Sequence, residues 1–194
     1  MRPYFRSYAL LGLLLRSCVP ENPPQEANEL SATKHDLGPI TMQIPRGWKR
    51  LDYDSSGLAD GDQAPSYRQR YLFLNVASRD TAFRESIILT VDKRPGTFHV
   101  AKAREKLADY LHSIQNQIQV LMLRDTLLEN GHLAILEVSA RNRAQHLDFI
   151  QTSAFYTKPN VNIIFMGSAM SHPGSTDQQT RVLFRQAIHS ITWK

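Results

Sequence analysis

The chain has 194 residues, with 23 Lys and Arg against 18 Asp and Glu, one cysteine, and 42% apolar residues. That length and apolar content suit one domain with a real core and exclude a wholly disordered chain. A single cysteine excludes an intramolecular disulfide framework and a cysteine-rich zinc site, and the longest apolar run, Ala9 to Leu15, is too short to span a bilayer. Residues 1–17 read as a secretory signal peptide: Arg2 and Arg6 form a charged start, Ala9 to Leu15 an apolar centre, and Ser17 a small residue before the cut. Arg2, Arg6 and Arg16 all precede Cys18, so the chain from Cys18 onward carries 20 basic and 18 acidic side chains, a net charge of +2. Without a Lys/Arg run there, nucleic acid is not an expected partner.

Leu15-Arg16-Ser17-Cys18 resembles the lipobox of bacterial lipoproteins, with Arg16 departing from the small or apolar residue usual there. The resemblance implies that Cys18 receives diacylglycerol, becomes the first residue and is acylated again, with palmitate-type chains. Several acyl chains anchor durably, since each buried methylene contributes about 0.8 kcal/mol. Val19, rather than Asp, follows the cysteine. By resemblance to enterobacterial lipoproteins this implies the outer membrane, with the domain facing the periplasm. Residues 18–37 are polar and Pro-rich and read as a flexible tether. A single domain is then expected over 38–194.

Pro39 to Pro45 alternates apolar and polar residues and predicts a half-buried strand, with Arg46-Gly47-Trp48 as a turn. Residues 52–69 read as a long loop. Tyr71–Val76 and Ser86–Val91 predict two more strands, the second central because Ile88 adds an apolar residue to its other face. Thr97 can cap a helix from about Phe98 to Gln117, with Val100, Ala103, Leu107, Leu111, Ile114 and Ile118 on one stripe. Strands over Leu121–Leu128 and Leu133–Ala140 flank Asn130-Gly131, a type I′ hairpin signal. Strands over Leu147–Tyr156 and Val161–Ser168 complete a four-strand meander. Ser175 and Gln178 suggest a capping box opening a last helix to about Ser190, which buries Leu183, Phe184, Ala187, Ile188 and Ile191. The fold class is α+β: an antiparallel sheet of about six to seven strands sandwiched by helices.

This order resembles the PsbP/Mog α/β/α sandwich, a superfamily that includes DcrB-type bacterial proteins and LpqN-type lipoproteins. The resemblance rests on Ile44-Pro45-Arg46-Gly47-Trp48 after the opening strand, on the central helix before a meander, and on the closing helix running into Ile191-Thr192-Trp193. It implies a binding, scaffold or chaperone module rather than an enzyme.

The residues alone supply no catalytic set. Gly167-Ser168-Ala169 is not a nucleophile elbow, and the seven histidines form no His-Glu-x-x-His. No cofactor is expected. Trp48 beside a Pro-Gly turn suits a plug at the end of a small core, and with Arg141, Arg143 and His146 at a hairpin tip it is also a candidate binding cleft. His146 and Asp148, two apart, would share one strand face. Asp52, Asp54 and Asp60 match part of a calcium loop, but Gln63 stands where a bidentate Glu belongs. Two functions remain open. One is a non-catalytic, membrane-anchored lipoprotein that binds or scaffolds a protein partner in the envelope. The other is a small-ligand-binding protein or hydrolase-type enzyme whose site is assembled from dispersed side chains.

Overall fold

A computed structural model describes residues 29–51, 68–77, 84–93, 105, 109, 117–129, 131–142, 146–172 and 175–194. Ten strands and one long helix are described. Three strands form a small sheet, ordered β1 (Leu30–Asp36), β2 (Ile40–Pro45) and β10 (Thr192–Trp193). Seven form a large antiparallel sheet from β3 (Trp48–Leu51), β4 (Arg68–Asn75), β5 (Ser86–Asp92), β6 (Gln117–Leu128), β7 (Gly131–Asn142), β8 (Leu147–Lys158) and β9 (Val161–Met170). Its order is β3-β4-β5-β9-β8-β7-β6. The helix α1 spans Ser175–His189 and packs against β8 and β9 of the large sheet and β1 and β2 of the small one.

The expected meander is present as β6 to β9, with every neighbouring pair antiparallel. β5 is interior, as its apolar pattern requires, with Ile87, Leu89 and Val91 fully buried. The core lies between the large sheet, α1 and the small sheet. There Ile40, Met42 and Ile44 of β2 meet Phe73, Phe165 and Phe184. Four predicted helix residues, Leu183, Phe184, Ala187 and Ile188, are buried, and Ile191 packs partly against the core. The other face of the large sheet is also closed to solvent over Leu136, Val138, Phe149, Ser153 and Phe155.

Four expectations shift. Leu30–Asp36, read as part of the tether, is a strand paired with β2. It is an edge strand with a largely exposed polar surface, so backbone hydrogen bonding rather than apolar alternation makes it one. Trp48–Leu51 continues past the turn as β3, after Gly47 takes a φ of +80°. The predicted helix over 98–117 lies outside the described residues except for Glu105 and Asp109, which are helical and exposed, and Gln117, which begins β6. Ile118 belongs to β6 and packs against Leu136 and Val138.

The fourth shift concerns the hairpin. Leu128 pairs with Gly131, so the glycine lies inside β7 rather than in the turn. Gly131 does not adopt a positive φ; a Cβ there would instead run into the backbone carbonyl oxygen of Thr157 on β8. The glycine permits close approach of two strands rather than a left-handed turn. Gly131→Ala is therefore expected to lower stability by about 2 kcal/mol, because the β7–β8 pairing must move. Thermal denaturation of wild type and variant checks this; an unchanged midpoint contradicts it.

Candidate functional site

The structure does not assemble the expected cleft. Trp48 is a core residue, 8% exposed, with its ring edge-on to Phe184 at 6.0 Å. It opens β3, while Arg141 closes β7; these strands hold the first and sixth places in the sheet. Five strand spacings separate them by about 24 Å. Arg141 is exposed and pairs with Asp148 at 3.5 Å across the β7–β8 ladder. His146 sits in the turn before β8 with φ +53°, so it does not share a strand face with Asp148. Arg143, the calcium candidates Asp52, Asp54 and Asp60, and the lipidation candidate Cys18 lie outside the described residues. Among the described residues no group of three or more His, Cys, Asp or Glu is placed to hold a metal, and no helix is long and apolar enough to cross a membrane.

Two other charged assemblies appear instead. The first is centred on Glu137 in the middle of β7. Its position in the strand pairing places it beside Thr152 of β8, which pairs with Gly167 of β9, itself opposite Ile87 of β5. That row is the floor on which α1 rests. Arg181 and Arg185 are four residues apart and so leave the same helix face. Both reach the fully buried Glu137 carboxylate: Arg181 Nη2 and Nε donate to Oε2 at 2.6 and 2.7 Å, and Arg185 Nη1 donates to Oε1 at 2.8 Å and Oε2 at 2.9 Å. Arg185 Nη1 also meets Met122 Sδ at 3.9 Å. Gln178, expected to close a capping box, accepts from Arg181 Nη1 at 3.3 Å, while Asp177 accepts from Ser171 Oγ and His172 N, both at 2.6 Å. The Ser175 side chain is outside the described residues. The visible signs in the sequence were a glutamate inside the apolar run Leu133–Ala140 and an arginine pair four apart on the last helix.

The second assembly is a rim where the small sheet closes over the end of β3, β4 and β8. Lys194 Nζ reaches Asp36 Oδ1 at 2.5 Å, and the Gly38 N–H donates to the same carboxylate at 3.1 Å. The Lys194 hydrogen bond, and next the Gly38 N–H, hold the exposed Asp36 carboxyl below the usual carboxylate range. Tyr71 donates its hydroxyl to Gln69 Oε1 at 3.0 Å, and the Arg50 guanidinium lies 4.9 Å from the Tyr71 ring centre. Burial pushes the Tyr71 hydroxyl pKa up and outweighs the opposing charge of Arg50. His35 packs edge-on against Phe73 at 5.5 Å. Burial, aided by the Arg50 charge, pushes its pKa down. On the far side of the rim, Lys158 sits 4.6 Å above Trp193, whose ring meets Tyr156 edge-on at 5.1 Å. The C-terminal residues are tied in by Lys194 N donating to Pro39 O at 3.0 Å.

The His35 shift carries a sign. A base whose folded pKa is depressed favours folding while it is neutral. That contribution is present above its ordinary pKa of about 6.5 and is lost as pH falls through the depressed value. His35→Gln is expected to flatten the stability profile between neutral and mildly acidic pH while leaving the steeper acid limb. Chemical denaturation across pH measures it; an unchanged slope contradicts it.

The fold that carries the rim and the clamp has counterparts among solved structures. No family model matches the sequence, and no curated protein does. Solved structures do match. The cyanobacterial PsbP (CyanoP) of Synechocystis sp. PCC 6803 superposes with a TM-score of 0.59 at 14% identity, covering 93% of this chain and 99% of that one. The Saccharomyces cerevisiae Ran-binding protein Mog1p superposes with a TM-score of 0.56 at 11% identity, covering 85% of this chain and 96% of that one. The chain thus has a PsbP/Mog-like fold, mostly antiparallel sheet with a closing helix.

Proposed function

We propose, from this PsbP/Mog-like fold, that the chain is a non-catalytic binding or scaffolding module that holds a protein partner in the cell envelope. In this reading acylated Cys18 anchors it to the outer membrane, facing the periplasm, and the segment from Cys18 to the start of β1 spaces the domain from the lipid surface. The observation that carries the binding role is the rim. It sets the exposed Arg50 against the ring of the buried Tyr71, and Lys158 over the half-buried Trp193, whose ring meets Tyr156, with the exposed Lys194 at the chain's last position. Cations next to aromatic rings are suited to a protein surface, since such residues carry much of the energy of interfaces. Ran binding is a property of Mog1p; here it supports the reading that this fold can serve as a protein-binding module.

Site-specific photocrosslinking in intact envelopes, with the probe at Lys158 or Lys194, tests the role. One enriched protein captured at the rim and not from a probe at Arg84, near the other end of the large sheet, is expected. Equal or no capture at both would count against it. Cys18→Ser tests the anchor separately, because the reading requires that variant to leave the membrane fraction.

A further inference from the structure

The Glu137 clamp does not use its two arginines alike. Arg181 sets Nε and Nη2, the two nitrogens of one guanidinium edge, on Glu137 Oε2 and gives Nη1 to Gln178. Arg185 reaches the carboxylate through Nη1 alone, so its Nε and Nη2 have no partner. Among the described residues, the buried side-chain polar atoms left without partners lie elsewhere, on Thr152, Thr157, Asn162 and Trp193. The free edge of Arg185, on a side chain 25% exposed, is therefore open to solvent. Two parallel N–H groups on such an edge match two oxygens of a carboxylate or a phosphate. The edge is also held in place. Nη1 sits on both Glu137 oxygens and 3.9 Å from Met122 Sδ, so little side-chain freedom is left to lose on binding.

A second cation stands near that edge. Met122 pairs with Glu137 and Arg124 pairs with Ile135, so Arg124 lies two residues beyond Met122 on the same sheet face. That is roughly 7 Å along the strand, a gap that two arginine side chains can close. The helix runs the same way. α1 leads into β10, whose Trp193 meets Tyr156, and Tyr156 pairs with Leu133, beyond Ile135 on β7. His189, four residues after Arg185, is exposed on that course. Arg124 is exposed too. Among the described residues of this face, from Met122 onward on β6 and from Arg181 onward on α1, Glu137 is the one carboxylate. Arg124, Arg181 and Arg185 against Glu137 leave an excess of two positive charges.

We infer that Arg185 and Arg124 form a binding site for a phosphate group, with Arg185 Nε and Nη2 as the fork and Arg124 on a further oxygen. A carboxylate would be satisfied by the fork alone. A phosphate has a third terminal oxygen and nearly two negative charges at neutral pH, which suits the second arginine and the local charge excess. Glu137 is the part that makes the fork rigid, while Arg181 offsets its charge. The site stands apart from the rim and does not rest on the envelope role or on the anchor.

Side-chain NMR of the isotope-labelled, detergent-purified full chain reads the Arg185 Nε–H, whose signal is identified by its loss in Arg185→Lys. Inorganic phosphate, or glycerol phosphate as the head-group fragment of a lipid, is expected to move that signal to saturation. The Arg181 Nε–H, already held by Glu137, should move less. Saturation by inorganic phosphate identifies a free phosphate or small ester as the ligand class; saturation by glycerol phosphate alone identifies a head group. Acetate at equal ionic strength should bind at least about tenfold more weakly, lacking the oxygen for Arg124. Arg124→Gln should weaken phosphate binding by about fivefold with an unchanged melting temperature, because Arg124 is exposed and outside the clamp. Arg84→Gln, also exposed and near the other end of the sheet, should leave binding as in wild type. The Arg124 variant keeps the test intact even if Arg185→Lys loosens the fold. The inference is overturned if neither phosphate probe saturates the Arg185 signal, if acetate binds as tightly as phosphate, or if Arg124→Gln binds as well as Arg84→Gln.

Discussion

Glu137→Ala is expected to destabilise the domain by about 3–5 kcal/mol, the typical cost of removing one partner from a buried ion pair. For a domain of this size that lowers the melting temperature by about 10 °C. The reasoning rests on what is left behind. Arg181 and Arg185 are only 18% and 25% exposed at their side chains, and four short contacts to the carboxylate replace their hydration. Without it two cations face each other under a helix. Glu137→Gln keeps a hydrogen-bond acceptor and should fall between wild type and Ala. The decisive comparison is a triple variant, Glu137→Met with Arg181→Met and Arg185→Leu. Replacing a whole buried ionic group by apolar residues is often neutral or stabilising. If the triple variant recovers most of the lost stability, the clamp contributes specificity of helix placement more than net stability. If the triple variant is as unstable as Glu137→Ala, the loss arises from packing and the electrostatic account is wrong.

Phe184→Ala is expected to cost a similar amount, about 3–5 kcal/mol, through the cavity it leaves. Phe184 is fully buried and makes edge contacts with Trp48 at 6.0 Å and Phe165 at 6.3 Å. It also lies over Gly167, where a Cβ would come within 2.8 Å of the ring. The ring and the glycine are thus matched, and this is where α1 locks to β9. Equilibrium denaturation of Phe184→Ala and Gly167→Ala, singly and together, measures the match. Gly167→Ala alone should destabilise by about 1–3 kcal/mol through overpacking. In the double variant the added methyl occupies part of the vacated volume, so the combined loss should be less than the sum. Strict additivity would show that the two positions do not share one space.

Much of this architecture was legible from periodicity. β2, β5, the meander β6 to β9 and the buried stripe of α1 all follow from apolar spacing, because each buries one face against the same core. The resemblance carried by Ile44 to Trp48 and by the closing helix pointed to a PsbP/Mog-like fold, and the structural matches agree. Periodicity failed where the backbone rather than the side chains does the pairing. β1 exposes most of its residues, and β10 is two residues long, so neither carries an apolar signal. The hairpin glycine was noticed for the wrong reason: the pair Asn130-Gly131 suggested a turn, whereas Gly131 serves the contact with Thr157.

The candidate sites show the same division. Trp48 beside its Pro-Gly turn could plug the core or line a cleft, and the ring of Phe184, 136 positions later in the chain, is what decides for the core. Arg141 and His146 remain at their hairpin, yet the strand order puts five spacings between β3 and β7. The Glu137 clamp joins residues 44 and 48 positions apart, and the rim joins Asp36 to Lys194. Composition and charge, by themselves, determined that the chain has apolar residues enough for a core, that its basic excess lies mainly ahead of Cys18, and that one cysteine allows no intramolecular disulfide. Only the tertiary structure decided which charges meet and which strands form the sheet edges, because ion pairs and strand order depend on contacts distant in sequence, which hydrophobic spacing does not encode.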